Sequence, residues 1–199
     1  MGPLKPRHPG PVIGVDIGQS TDPTAICVAT PSRRKGQVSF KVRYLERVPL
    51  GLPYPEIFER VATVIERVGR RSRFKPRVFV DATGVGKPVV DLLRIRVHGA
   101  DIHGVLLRAG ELHTYRNGAK HITVVIGKAK LAKRLQAMIR GGRVHLPDTD
   151  EARALARELL DYEVRVDEDG TDRYGAFKPG THDDLVTALA FAVGEITAR

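Results

Sequence analysis

Four aspartates carry the chemistry that this sequence offers. Asp16 lies in Gly14-Val15-Asp16-Ile17-Gly18, Asp81 closes Val78-Phe79-Val80-Asp81, and Asp183 and Asp184 stand side by side in Thr181-His182-Asp183-Asp184-Leu185-Val186. An ionised carboxylate inside an apolar run costs several kcal/mol unless a cation or hydrogen bonds compensate it. Oxygen-only ligands of this kind suit Mg²⁺ or Mn²⁺ and argue against zinc. Two such ions roughly 4 Å apart hydrolyse phosphodiesters, one activating water and the other stabilising the leaving 3′-oxygen. In that scheme Asp16 bridges both ions, Asp81 holds one, and Asp183 or Asp184 holds the other.

Each acid also has a plainer reading. Asp16 could cap the turn after its strand, and Asp81 could cap the next helix. Thr181-x-x-Asp184 approximates a capping box, in which a first-turn acid gains roughly 0.3–1 kcal/mol from the helix dipole. Capping accounts for one acid; it accounts less well for two adjacent like charges. Neither Asp183 nor Asp184 falls on the stripe of Leu185, Leu189 and Val193, so periodicity does not choose between them, and both are candidates. Among the 7 histidines, which show no zinc-like spacing, only His182 is placed to orient a water or a ligand. A surface histidine is its simpler reading.

Two nucleotide-binding look-alikes fail. The phrase Asp16-Ile17-Gly18-Gln19-Ser20-Thr21 is like the phosphate loop of actin-like ATPases, which need a second domain that 199 residues do not hold. Asp81-Ala82-Thr83-Gly84-Val85-Gly86-Lys87-Pro88 imitates a P-loop, but Asp stands where the motif needs Gly, and Pro where it needs Ser or Thr.

The elements that must position these acids follow from periodicity. Strands are expected at Val12–Gly18, Thr24–Thr30 and Gln37–Val48, joined by short turns at Gly18–Pro23 and Pro31–Gly36 into an antiparallel meander. Ile57, Phe58, Val61, Val64, Ile65 and Val68 recur at helical spacing after Pro53 and Pro55, giving a helix over 55–69. A strand at Arg77–Asp81, a helix over Pro88–Val97 and a strand at Asp101–Leu107 alternate in the manner of parallel strands. After an irregular stretch come a strand at Ile122–Ile126 and helices over Lys128–Arg140 and Asp150–Asp161. A hairpin follows, spanning Tyr162–Phe177 with its turn at Asp169-Gly170, and then a last helix from His182 to near Thr197. The expected architecture is α/β, RNase H-like: a central mixed sheet, antiparallel meander plus parallel strands, flanked by helices. Residues 1–11 read as a leader or linker stub and 12–199 as one domain.

With 33 Lys+Arg against 23 Asp+Glu the net charge is +10, which favours polyanionic partners. Lys128, Lys130, Lys133, Arg134, Arg140 and Arg143, with Arg70, Arg71, Arg73 and Lys75, are candidates to track a DNA backbone; a solvated helix face is the alternative. The single cysteine, Cys27, excludes an intrachain disulfide framework and a cysteine zinc site. No apolar stretch reaches the roughly 20 residues of a membrane span, and the N-terminus lacks the apolar centre of a signal peptide, so a cytoplasmic protein is expected.

Three stretches are similar to one family. Gly14-Val15-Asp16-Ile17-Gly18 followed by Asp22-Pro23-Thr24-Ala25, then Asp81-Ala82-Thr83-Gly84-Val85-Gly86, then Gly180-Thr181-His182-Asp183-Asp184-Leu185-Val186 resemble the C-terminal nuclease domain of the large terminase subunit of tailed bacteriophages. Lys128 with Leu131, Leu135 and Gly142-Arg143-Val144, and Glu158-Leu159 before the hairpin, also follow its pattern. The resemblance implies an RNase H-like fold, Mg²⁺ or Mn²⁺ at Asp16, Asp81 and Asp183/Asp184, and cutting of concatemeric viral double-stranded DNA during packaging. It further implies a packaging ATPase, a small terminase subunit and a portal as partners. The ATPase with its Walker motifs is not in these 199 residues, so the chain is expected to be either an excised domain or a separate nuclease. The competing readings are a Holliday-junction resolvase-like nuclease and a non-catalytic basic nucleic-acid-binding module.

Overall fold

A computed structural model describes residues 10–18, 22–34, 36–84, 86–117, 122–166, 172–177 and 180–194. The element order is β1 (Val12–Asp16), β2 (Ala25–Arg34), β3 (Gln37–Arg47), α1 (Tyr54–Arg71), β4 (Arg77–Asp81), α2 (Gly86–Arg96), β5 (Asp101–Arg108), β6 (His113–Asn117), β7 (Ile122–Gly127), α3 (Lys128–Arg140), β8 (Val144–His145), α4 (Asp150–Asp161), β9 (Tyr162–Val166), β10 (Asp172–Ala176) and α5 (Asp184–Val193).

Eight strands form one mixed sheet in the order β6-β7-β5-β4-β1-β2-β3-β8, and β9 and β10 form a separate antiparallel pair. The expected meander is present as β1-β2-β3. Strands β1, β4, β5 and β7 run parallel, as the alternation of strands with helices requires. Side chains alternate across the pleat, so β1 and β4 send Val12 and Phe79 to one face and Ile13, Val15, Val78 and Val80 to the other. The first face is covered by α3, α4 and α5, the second by α1 and α2.

Helix α5 lies almost directly on β1. Gly14 makes this possible: a Cβ there would meet the carbonyl oxygen of Ala188 and stand 2.8 Å from the Ala192 nitrogen and 2.9 Å from the Phe191 Cβ. Asp184, Leu185, Val186 and the run Ala188–Val193 are all buried, because α5 packs against β1 and β2 of the sheet and against both α3 and α4.

The structure corrects several boundaries. Strand β2 does not stop before Pro31 but runs on to Arg34, and the hairpin with β3 extends to the pair Arg34 and Gln37. The stretch after Arg108 contains an edge strand, β6, whose sequence HTYRN carries no apolar alternation. Two residues of β8 close the opposite edge. Helix α5 begins at Asp184 rather than His182. Ile139 in α3 and Leu160 in α4, although apolar, are 40% and 85% exposed. The turn at Asp169-Gly170, and Ile196 and Thr197 at the far end of the last helix, lie outside the described residues. So do residues 1–9, while Pro11 accepts a hydrogen bond from the Arg77 N–H at 3.0 Å. Among the described residues no helix is long and apolar enough to cross a membrane.

Candidate functional site

Register brings the acids together. The parallel pairing of β1 with β4 ends at Val15 and Val80, so Asp16 and Asp81 lie one residue further on, side by side at the carboxyl ends of adjacent strands. Period 2 puts both on the α5 face, with Val12, Gly14 and Phe79. Across β1, β2 and β3, Asp16 pairs with Ala25, and Ala25 with Arg47. The sheet therefore presents one row on this face: Asp81, Asp16, Ala25, Arg47. Strands are spaced about 4.8 Å apart, so the row is roughly 14 Å long. Ala25, fully buried, leaves room above the middle of the row, where the N-terminus of α5 comes down.

A β-bulge decides which residue ends that row. Near the hairpin turn β2 and β3 pair as Arg34 with Gln37 and Ala29 with Val42; beyond the shift between Val28 and Ala29 they pair as Val28 with Tyr44 and Ala25 with Arg47. Without the extra residue, Arg43, Ala25 would face Glu46, since a one-residue slip exchanges the faces of a strand. The bulge thus sets a cation in a row that would otherwise end in a third carboxylate.

The loops after β1 and β4 are fixed by threonines. The Thr24 hydroxyl accepts the Gly18 N–H at 3.1 Å, and the Thr24 carbonyl accepts the Val48 N–H at 2.7 Å, tying the β1 exit to the end of β3. Asp81 Oδ1 accepts the Thr83 N–H at 2.7 Å, and the Thr83 hydroxyl accepts the Leu107 N–H at 3.2 Å. Asp81 thus turns its own loop while remaining beside Asp16.

Electrostatics record the crowding. Burial holds the Asp16 carboxyl well above the usual carboxylate range, and the charges of Asp81, Asp183 and Asp184 push it further, against the pull of Lys128. Asp81 is also raised by burial, with Thr83, Lys128 and a hydrogen bond shared with Asp16 acting the other way. Burial raises Asp183 too, opposed by Lys128 and by the Ala176 N–H; Asp184 and Asp22 add to the rise. Burial likewise pushes the Tyr162 hydroxyl up, reinforced by Asp183, Tyr174 and Asp16. These opposed carboxylates are the charge distribution that a cation would relieve. Among the described residues no three acidic, histidine or cysteine side chains are drawn together closely enough to grip one ion.

All four acids therefore converge at the carboxyl ends of β1 and β4 and the start of α5. Asp183 is the N-cap residue of α5, yet its side chain makes no cap hydrogen bond. Asp184 is spent on Arg47, its Oδ2 accepting from Nε at 2.9 Å. Of the basic candidates, only Lys128, the first residue of α3, has its charge felt by Asp16, Asp81 and Asp183. Lys133 pairs with Glu111, and Arg134 Nη2 lies 3.0 Å from His113 Nδ1, so these two brace β6 against α3. Lys130 and Arg143 are partly buried and Arg140 is exposed; Arg70, Arg71, Arg73 and Lys75 are exposed on the far side, at the end of α1. His182 is partly buried in the segment before α5.

Sequence reasoning passed over Arg47, whose role depends on the bulge, and took Glu158 only as part of a family pattern. Glu158 is 7% exposed. A buried glutamate on the apolar face of α4, beside Leu155, was the signal available: an acid on that stripe requires a partner.

No protein-family model and no curated protein matches this sequence. Solved structures do. The large terminase nuclease domain of bacteriophage SPP1, determined with bound Mn, is 14% identical and superposes with a TM-score of 0.50 over 94% of this chain and 86% of that one. The terminase nuclease domain of human cytomegalovirus is 17% identical, with a TM-score of 0.58 over 92% and 82% of the two chains. Its Mn-soaked form is 16% identical, with the same TM-score over 91% and 80%. At such identities the likeness is one of fold. The chain has the RNase H-like fold, in the form found in large terminase nuclease domains.

Proposed function

We propose that this protein is a divalent-metal-dependent endodeoxyribonuclease that cuts concatemeric viral DNA during genome packaging, with little sequence specificity. The observation that carries the reading is the convergence of Asp16, Asp81, Asp183 and Asp184 at one end of the sheet, three of them with carboxyl groups driven up by burial and Asp16 pushed further by the charges of the other three. Crowding of this kind costs stability and serves no packing purpose; it is accounted for by a function that supplies positive charge. The donor set is all oxygen, and Asp184 Oδ1 is buried with no hydrogen-bond partner among the described residues, so the residues fit Mg²⁺ or Mn²⁺. The fold shared with terminase nuclease domains determined with Mn supports the same choice.

When bound, a pair of such ions activates the attacking water and stabilises the leaving oxygen. The chain's own part is to hold them: Asp16 and Asp81 from the sheet, Asp183 and Asp184 from the start of α5. Lys128 supplies positive charge to the same region. The net charge of +10 favours a backbone-directed, sequence-tolerant grip, so binding should weaken steeply with salt. The packaging ATPase, small terminase subunit and portal are the proposed partners.

The test is supercoiled plasmid incubated with the protein in Mn²⁺, in Mg²⁺ and in EDTA, beside Asp16→Asn. Nicking and linearisation that vanish in EDTA and in the variant are expected. Full activity of Asp16→Asn would refute the assignment, and plasmid retarded on the gel but never cut would favour a binding module. Preference for four-way junctions over linear duplex would favour a resolvase.

A further inference from the structure

Asp184 is 4% exposed and held from one side only. Its Oδ2 accepts from Arg47 Nε, while Oδ1 has no hydrogen-bond partner among the described residues. The same guanidinium pairs through Nη2 with Glu158 Oε1, and Glu158 Oε2 accepts the Val186 N–H at 3.2 Å. Val186 is the third residue of α5, and its amide is one of the helix-end donors that lack an internal partner. Glu158, reaching across from α4, caps α5 where the Asp183 side chain does not. One planar fork therefore joins the end of β3, the last turn of α4 and the first turn of α5.

We infer that Arg47, backed by Glu158, is a positioning residue that presents Asp184 to a divalent cation through Oδ1 alone. The inference rests on the metal-centre reading above. A carboxylate turns broadly about its last torsion, so an unpinned Asp184 would offer either oxygen in many orientations. Anchoring Oδ2 removes that freedom and aims the remaining lone pairs. The guanidinium suits the task because it bonds two carboxylates at once in a fixed plane and stays charged, which an ammonium point charge does not reproduce. The bulge at Arg43 exists on the same account, since it is what brings Arg47 and not Glu46 to the Asp16 row. Glu158 holds the fork from the α4 side through Nη2.

The test measures Mn²⁺ binding to the metal-free full chain, without DNA, by calorimetric titration of the wild type, Arg47→Gln, Arg47→Lys and Glu158→Gln, with thermal unfolding in EDTA alongside. Groups that orient ligands in this manner are worth about 10–100-fold in metal affinity. Arg47→Gln should weaken Mn²⁺ binding by that factor. Arg47→Lys should recover only part of the loss, and Glu158→Gln should show a smaller loss. A purely structural fork would lower the unfolding temperature yet leave the Mn²⁺ dissociation constant of the folded variants within twofold of the wild type, and that result overturns the proposal. Should Arg47→Gln fail to fold, Arg47→Lys, which keeps the cation, and Glu158→Gln, which keeps an acceptor for Val186, decide the matter. A wild type that binds no Mn²⁺ sinks the metal centre and the clamp together; a wild type that binds while folded variants bind equally sinks the clamp alone.

Discussion

Replacing Gly14 by alanine adds one methyl group, and the structure says where it must go. It would overlap the carbonyl oxygen of Ala188 and lie 2.8 Å from the Ala192 nitrogen and 2.9 Å from the Phe191 Cβ. Two of these three are backbone atoms of α5, which cannot rotate away as a side-chain tip would. The helix must back off β1, and overpacking of that kind costs about 1–3 kcal/mol, occasionally more; a rigid obstacle puts Gly14→Ala at the upper end, about 3 kcal/mol. For a chain of this size each kcal/mol moves the unfolding midpoint by about 2–4 °C, so Tm should fall by roughly 6–12 °C. The control is Gly69→Ala in α1, where an added Cβ meets nothing within 4 Å. There alanine is the better helix former by about 0.5–1 kcal/mol, and Tm should rise by roughly 1–4 °C. Calorimetry of both variants in EDTA gives the two shifts. Cleavage assayed below both midpoints should be lost in Gly14→Ala, because α5 carries Asp183 and Asp184 away from Asp16, and kept in Gly69→Ala. An unchanged Tm for Gly14→Ala, or equal shifts for the two, would refute the claim that α5 is seated on β1 through that glycine.

Stability of the metal-free protein should depend on pH through the crowded acids. The folded carboxyl groups of Asp16, Asp81 and Asp183 are raised above their unfolded values, so the native state binds more protons and stability falls as pH rises from about 4 through the folded values. Thermal scans in EDTA across that range should show the decline, Asp16→Asn should flatten it, and saturating Mn²⁺ should oppose it; a Tm that climbs with pH in EDTA would contradict the electrostatics. Cys27 is fully buried, and burial pushes its thiol up. An aromatic disulfide reagent should therefore leave the native protein unlabelled at neutral pH and label it stoichiometrically in denaturant, and rapid native labelling would show that β2 opens. Thr149→Ala removes the hydroxyl that accepts the Ala152 N–H at 3.2 Å at the start of α4, and should cost about 1 kcal/mol in denaturant unfolding; an unchanged midpoint would mean that the cap bond does not form.

Much of the architecture was written locally. The meander, the helix announced by Pro53 and Pro55, the strand ending at Asp81 and the hairpin with Tyr162 and Val164 all follow from side-chain period and turn residues. What escaped was polar or very short: β6 offers His-Thr-Tyr-Arg-Asn without alternation, and the two residues of β8 are a strand only because β3 is beside them. Leu160 shows that a leucine on a helix says nothing of whether a neighbour covers it; at 85% exposure, nothing does.

By itself the sequence determined which acids end apolar strands, which helix two of them open, and that every candidate ligand is oxygen, because local hydrophobic period and residue chemistry require no partner. Only the tertiary structure decided that Asp16 and Asp81 are neighbours, that a bulge at Arg43 turns Arg47 rather than Glu46 towards them, and that Glu158 caps a helix 28 residues further along the chain. Those facts depend on register and on contacts between distant segments. A slip of one residue exchanges every face of a strand, and no window along the chain records which register long-range packing selects.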